Sequence, residues 1–197
     1  MKLVIASRNS GKIAEIRNIL AGTGVKILSL DDFPGHPPDV IEDGDTFAAN
    51  ARQKALAVAA WAGAFALADD SGLVVDALDG RPGVQSARFA GEDGNTAANN
   101  ALLLELMEGV PAGRRTAHFM CVMSLAAPDG RTWETEGRVD GEITAGMAGE
   151  GGFGYDPLFF FPPAEKTFAE MAPGEKNSVS HRAAALKNMA ELIPTID

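Results

Sequence analysis

Three carboxylates stand beside short polar turns between apolar segments: Glu42 in Ile41-Glu42-Asp43-Gly44-Asp45, and the adjacent pair Asp69-Asp70, followed by Ser71-Gly72. An all-oxygen donor set suits Mg²⁺, which commonly binds through one or two carboxylates together with the phosphates of a substrate. Successive residues of a strand face opposite ways, so only one of the two aspartates points straight into a given cleft, and either could be that one. The competing reading is structural: Asp-Asp-Ser-Gly is also good turn chemistry. A second cluster, Ser7-Arg8-Asn9-Ser10-Gly11-Lys12, lies between a short apolar run and an amphipathic one. There the backbone N–H groups and positive end of a helix attract phosphate, and Lys12 adds a full charge. This is not a Walker-type loop, which requires Gly where Ala6 stands and Ser or Thr where Ile13 stands; a kinase or GTPase is disfavoured.

Two further segments carry side chains suited to a nucleotide. In Gly151-Gly152-Phe153-Gly154-Tyr155-Asp156-Pro157, three glycines allow close backbone approach and two aromatics are suited to a flat base. Without a ligand the same stretch reads as a loop whose aromatics cap the core. Glu175-Lys176-Asn177-Ser178-Val179-Ser180-His181-Arg182 leads into the final helix, where Ser180 reads equally well as an N-cap and Lys176 and Arg182 as solvated surface charges.

The elements that must position these groups follow from hydrophobic periodicity. Residues 3–6 read as a buried strand, and Ile13, Ile16, Ile19 and Leu20 mark one face of the helix behind it. Thr46 and Gly63 bracket a second helix as N-cap and left-handed stop. Residues 65–68 form a strand running into Asp69, and residues 73–78 read as a separate strand. A leucine-rich helix spans residues 96–108 and closes at Gly109. Pro128-Asp129-Gly130 joins two β-like runs, residues 116–127 and 131–139, as a hairpin. Residues 146–154 are a loop, residues 158–161 a strand, and residues 180–193 a helix carrying Leu186, Met189, Leu192 and Ile193. Helix-linked strands combined with a hairpin predict an α/β protein with a mixed sheet.

Composition narrows the function further. Seventeen Lys and Arg against 27 Asp and Glu leave a net charge of −10, which argues against broad binding to nucleic acid or anionic membrane, so any polyanion bound must be small and locally neutralised. The longest uncharged apolar run, residues 55–68, is shorter than the roughly 20 residues of a membrane span. The apolar segment behind Met1-Lys2 is too short for a signal peptide, so a cytoplasmic protein is expected. The single Cys121, in an apolar stretch, reads as a core thiol, and no Cys/His metal cluster is available.

Taken together and in order, the motifs resemble the inosine triphosphate pyrophosphatase family, the house-cleaning purine triphosphatases, over nearly the whole chain. They are residues 7–12, Thr46-Phe47 with Asn50-Ala51 and Lys54-Ala55, residues 68–73, Pro82-Gly83 with Ser86-Ala87-Arg88, residues 151–157, and Ser180-His181-Arg182. The resemblance implies a single domain over residues 1–197: an elongated mixed sheet flanked by helices, in two lobes that share the sheet around a central substrate cleft. It implies that Ser7, Arg8, Asn9, Ser10, Gly11 and Lys12 grip phosphate, that Glu42 and Asp70 hold Mg²⁺, and that Asp70 accepts a proton from water. The same resemblance implies that Ser71 touches substrate and that Phe153, Gly154, Tyr155, Asp156, Lys176, His181 and Arg182 surround base and sugar. A homodimer acting on free nucleotides is also implied, with no nucleic-acid or membrane partner. The chain departs from the family pattern with Ser7-Arg8 for Thr-Gly, Ala49 for Glu and Phe89 for Tyr.

The expected reaction is hydrolysis of inosine, deoxyinosine and xanthosine triphosphates to the monophosphate and pyrophosphate, with Lys12 and Lys54 sharing the phosphate charge and Asp70, or Asp69, activating water. Donors such as Arg182 would donate to the C6 carbonyl oxygen of these bases and mismatch the amino group of adenine, a donor facing a donor. The alternatives are a Maf-type pyrophosphatase of other base preference and a nucleotide sensor without catalysis.

Overall fold

The computed structural model describes residues 1–21 and 23–196, with Ser10 described by its backbone alone. The first strand, β1 (Lys2–Ile5), buries Leu3, Val4 and Ile5 completely or nearly so, and α1 (Ser10–Ile19) follows it. Asn9 caps α1, its side-chain oxygen accepting the Lys12 N–H at 3.1 Å. The short β2 (Lys26–Leu28) pairs parallel with β1. Nothing in the sequence announces it, because three residues, one exposed and two half-buried, are too few to show alternation.

Helix α2 (Phe47–Ala62) starts and stops where its end residues predict. Thr46 accepts the Ala49 N–H, and Gly63 takes a left-handed φ of 59° that a side chain would disfavour. The next strand, β3 (Phe65–Val75), pairs parallel with β1 and runs unbroken through Asp69-Asp70-Ser71-Gly72. Where two strands and a turn were expected, there is one strand of 11 residues. A 3₁₀ turn at Asp76–Leu78 replaces the end of the expected second strand. The turn preference of Asp and Gly is local, whereas the partners that hold these carboxylates come from distant segments.

Helix α3 (Thr96–Leu106) is followed by β4 (Thr116–Ala126) and β5 (Thr132–Ile143), joined through the Pro-Asp-Gly turn in which Gly130 N–H reaches the Ala127 carbonyl. Strand β6 (Phe159–Phe161) pairs antiparallel with β5, and β7 (Lys166–Thr167) pairs antiparallel with β6. The sequence reading lacked a helix between residues 162 and 179; the structure forms α4 (Pro173–Val179) there, with Pro173 at its first turn. The last helix, α5 (His181–Leu192), carries Leu186 and Met189 into the core. The seven strands make one mixed sheet in the order β2-β1-β3-β4-β5-β6-β7, as an α/β reading requires. No helix among the described residues is long and apolar enough to cross a membrane.

Contacts divide the chain into two compact units. The first comprises Met1–Asp70, Cys121–Gly137 and Arg182–Asp197; the second comprises Ser71–Met120 and Arg138–His181. In the first unit the two-residue period of the strands sorts the core into two layers. Leu3, Ile5, Leu67, Cys121, Met123 and Leu125 pack with Ile16 and Leu20 of α1 and Leu186 and Met189 of α5. Val4, Ala66, Ala68 and Ala126 face the other way and pack with Ala55, Val58 and Ala59 of α2. Cys121 is fully buried, and burial pushes its thiol pKa up, so it stays protonated and inert as a core residue should.

The second unit is built around aromatic rings. Phe119 lies 4.6 Å from Phe159 and 5.9 Å from Phe168 between centroids, and Phe159 and Phe168 are 4.9 Å apart. Gly141 of β5 leaves room for this cluster, since a Cβ there would stand 2.4 Å from the Phe160 carbonyl oxygen and 2.6 Å from the Phe159 ring. Gly141→Ala is therefore expected to destabilise the protein by about 1–3 kcal/mol through overpacking. Urea unfolding would register this as a lower midpoint at unchanged slope.

Candidate active site

The split core continues directly into the charged residues. Asp69 has the parity of Leu67 and so faces α1 and α5; Asp70 has the parity of Ala66 and Ala68 and so faces α2. Two adjacent carboxylates are thereby delivered to two different environments.

On the first side, Asp69 Oδ2 accepts from Lys12 Nζ at 2.8 Å and lies 3.5 Å from Nε of Arg182, with only 2% of its side chain exposed. Arg182 is itself buried and reaches Glu15 of α1 through its second nitrogen at 3.0 Å. Burial acts to raise the Asp69 pKa, but the Lys12 ammonium and the Arg182 guanidinium outweigh it and hold the carboxyl well below the usual range. Burial likewise acts to lower the Arg182 pKa, and Asp69 overcomes it, so that pKa is raised. The result is a Lys–Asp–Arg–Glu chain, buried at Asp69 and Arg182 and half-buried at its Lys12 and Glu15 ends, tying α1, β3 and α5 together. It engages Lys12 and Arg182 directly through their charged ends.

On the other side, the Asp70 carboxylate accepts from Asn50 Nδ2 at 3.0 Å through Oδ2, while Oδ1 stands 4.0 Å from Lys54 Nζ. The same ammonium donates to Glu42 Oε2 at 2.8 Å. Two carboxylates from separate segments therefore converge on one cationic centre. Asn50 also accepts the Gly44 N–H at 2.8 Å, which ties the segment carrying Glu42 to α2. Among the described residues no group of three or more His, Cys, Asp or Glu forms a protein-enclosed metal centre. A pair of carboxylates nevertheless fits Mg²⁺, which completes its octahedron with water and substrate phosphate.

The phosphate-loop candidates lie at the start of α1. Ser7 accepts the Asn9 N–H, Asn9 caps the helix, and Arg8 is exposed. Gly11 leaves space for the cap, since a Cβ there would come 3.2 Å from Asn9 Oδ1. The side chain of Ser10 lies outside the described residues.

The second unit holds the remaining candidates. Asp156, almost fully buried, accepts from both Lys176 Nζ and the Phe153 N–H through Oδ2. The chain turns just before Phe153 at Gly152, whose φ of 72° and whose missing Cβ, which would otherwise collide with Asp156 Oδ2, both demand glycine. Lys176 Nζ sits 4.5 Å above the exposed Phe153 ring, a cation–π contact. Asn100 of α3 donates to the Gly154 carbonyl. Of the two aromatics read as a base platform, only Phe153 presents a ring to solvent. Tyr155 is buried and donates its hydroxyl to the Ser86 carbonyl, and burial pushes the phenol pKa up. His181 stacks on Phe119 with centroids 4.9 Å apart. Ser71, partly buried, begins the second unit directly after Asp70.

Sequence reasoning thus named Lys12, Glu42, Lys54, Asp69, Asp70 and Arg182, which the first unit gathers. It did not name Glu15 or Asn100, and it gave Asn50 no role beyond the motif. The available signals were Glu15 three residues after Lys12, one helical turn away, and Asn50 four residues before Lys54.

The Ham1 family model matches residues 3–192 of the chain. A protein of Desulforamulus reducens named dITP/XTP pyrophosphatase is 54% identical over 193 residues, spanning 98% of this chain and 96% of its own. This chain belongs to the Ham1 family. Another relative with the same name, from Geobacillus kaustophilus, is 52% identical over 96% of the chain and 93% of its own length. Among solved structures, a HAM1 protein from Coxiella burnetii superposes with a TM-score of 0.92 at 38% identity, with both chains covered completely. The nucleoside-triphosphatase (dITP/XTP pyrophosphatase) of Mycobacterium abscessus gives 0.81 at 44% identity, over 98% of this chain and all of that one. Ham1 membership upholds the resemblance drawn from the motifs.

Removing the anionic centre of the buried chain leaves Lys12 and Arg182 facing each other. Asp69→Asn is expected to lower stability by about 3 kcal/mol, measured by thermal unfolding at neutral pH. Because folding lowers this carboxyl's pKa, its stabilising effect is complete above the ordinary value of 3.8 and is lost as pH falls from there toward the folded-state value. The gap in stability between wild type and variant should therefore narrow only in strong acid.

Proposed function

We infer that this Ham1-family chain hydrolyses non-standard purine nucleoside triphosphates, inosine, deoxyinosine and xanthosine triphosphates, to the monophosphate and pyrophosphate. What carries the reading is the convergence of Glu42 and Asp70 on Lys54 in a chain that aligns end to end with relatives named dITP/XTP pyrophosphatase. Family membership also favours it over the Maf-type alternative.

Glu42 and Asp70 would hold Mg²⁺, which supplies charge neutralisation for the triphosphate and its pyrophosphate leaving group. Lys54 shares that load from α2, and Lys12 and the start of α1 bind phosphate. Asp70 orients a water molecule and takes its proton as the oxygen adds to phosphorus. The bond from that phosphorus to the pyrophosphate group then breaks, and the electron pair leaves with pyrophosphate. Asp69 suits this role poorly: a carboxylate held below the usual range by two cations is a weak base, and those contacts already occupy it. Its role is to hold Lys12 and Arg182.

The base would meet Phe153 as a stacking surface and Lys176, oriented by Asp156, as a donor toward a C6 carbonyl. Tyr155 would contribute through its backbone, since its ring is buried. In the cell the enzyme would act on free nucleotides in the cytoplasm as a homodimer.

Pyrophosphate release with Mg²⁺ present should be at least about tenfold more efficient, in kcat/KM, for inosine and xanthosine triphosphates than for adenosine triphosphate, given a buried donor facing a donor. Equal rates across the panel would remove the base selectivity while leaving the hydrolysis intact. Asp70→Asn should lower kcat by at least ~10²-fold, and a near-normal rate would take Asp70 out of the base role.

A further inference from the structure

Asn50 is almost fully buried, with 1% exposure, and both ends of its amide are engaged by segments of the reacting centre. Its Nδ2 donates to Asp70 Oδ2 at 3.0 Å and its Oδ1 accepts the Gly44 N–H at 2.8 Å. The assignment of the two ends is fixed by chemistry, since a backbone N–H requires an acceptor and a carboxylate requires a donor. Asn50 lies one helical turn before Lys54 on α2, so it shares a face with the ammonium on which Glu42 and Asp70 converge.

Gly44 confirms how closely this contact is built. A Cβ at Gly44 would stand 2.7 Å from Asn50 Oδ1 and 2.9 Å from the Ala49 Cβ, although the Gly44 backbone is outside the left-handed region and would tolerate alanine by itself. The absent side chain at position 44 is a matter of room for the Asn50 amide.

We propose that Asn50 is the positioning residue of the metal-binding pair: one amide fixes the rotamer of Asp70 from Oδ2 and, through Gly44, holds the segment that carries Glu42 in register with it. With Oδ2 engaged by Asn50, Oδ1 is the Asp70 oxygen that faces Lys54. Asn50 itself touches neither metal nor substrate; it sets the separation and orientation of two carboxylates from distant parts of the chain. This rests on the reading of Glu42 and Asp70 as Mg²⁺ ligands.

The test measures Mn²⁺ binding by electron paramagnetic resonance in the presence of inosine triphosphate carrying a methylene bridge between its α- and β-phosphorus atoms. Pyrophosphate release from inosine triphosphate is followed in parallel as a function of Mg²⁺. Asn50→Ala and Gly44→Ala are each expected to weaken Mn²⁺ binding about 10–100-fold, the usual effect of losing a group that orients a metal ligand. Each should move the Mg²⁺ dependence of turnover by a similar factor, with the rate recovering at high Mg²⁺. The double variant should lose little more than the worse single one, because both substitutions break the same contact.

If wild type binds Mn²⁺ and both variants bind it equally well, the role assigned to Asn50 is overturned while the metal reading stands. A rate loss that high Mg²⁺ does not recover, with lowered thermal stability, marks a purely structural residue and also overturns it. If wild type binds no Mn²⁺, or Asp70→Asn binds as wild type does, the metal reading itself fails and this proposal with it. Should Asn50→Ala not fold, as judged by circular dichroism, Gly44→Ala carries the same comparison.

Discussion

Two neighbouring carboxylates on one strand cannot share a face, and the chemistry of this protein depends on that constraint. The alternation that sends Leu67 toward α1 and α5 and Ala68 toward α2 continues through Asp69 and Asp70, giving each a different set of partners. Asp69 is buried and clamped between cations, so its charge is permanent and spent on structure. Asp70 accepts from a neutral amide on one oxygen and stands near an ammonium on the other, the surroundings on which the proposed metal and water roles rest. One backbone register thereby gives two adjacent carboxylates different partners.

The cost of placing charge inside the first unit is met by pairing. Breaking one member of a buried ion pair is far more damaging than never having built it, because the remaining partner stays desolvated. Lys12, Asp69, Arg182 and Glu15 form such a set, and they join α1, β3 and α5, whose apolar residues already share one core layer. Charge and packing therefore specify the same arrangement of helices. The net charge of −10 makes this local concentration of Lys12, Lys54 and Arg182 more significant, since a polyanionic substrate needs a cationic site on an otherwise repelling molecule.

The second unit solves a different problem, keeping one aromatic ring exposed. Tyr155 is drawn into the interior by its bond to the Ser86 carbonyl, Asp156 is drawn in by Lys176 and the Phe153 N–H, and Gly152 permits the turn. Phe153 is left on the outside by these anchors, with an ammonium above its ring. Such a loop is held open by its buried neighbours, and its exposed aromatic is a consequence of them.

Much of this was legible in the residues themselves. Caps at Thr46 and Gly63, the Pro-Asp-Gly turn and the apolar periodicity of α1 and α5 are local signals, and the elements they announce are present. The identities of Lys12, Glu42, Lys54, Asp70 and Lys176 also follow from residue type and motif order, since charge and donor chemistry are properties of a side chain wherever it lies. The single strand across Asp69-Asp70-Ser71-Gly72 was not legible, because its stability comes from Lys12, Arg182 and Asn50, up to 113 residues away. Nor was the burial of Tyr155, nor the use of Arg182 as a partner of Asp69 and Glu15. Sequence alone determined which chemical groups the protein possesses and which short segments coil or extend. Only the tertiary structure decided which of two equivalent carboxylates each cation neutralises, because that choice is made by distances between segments that have no contact until the chain has folded.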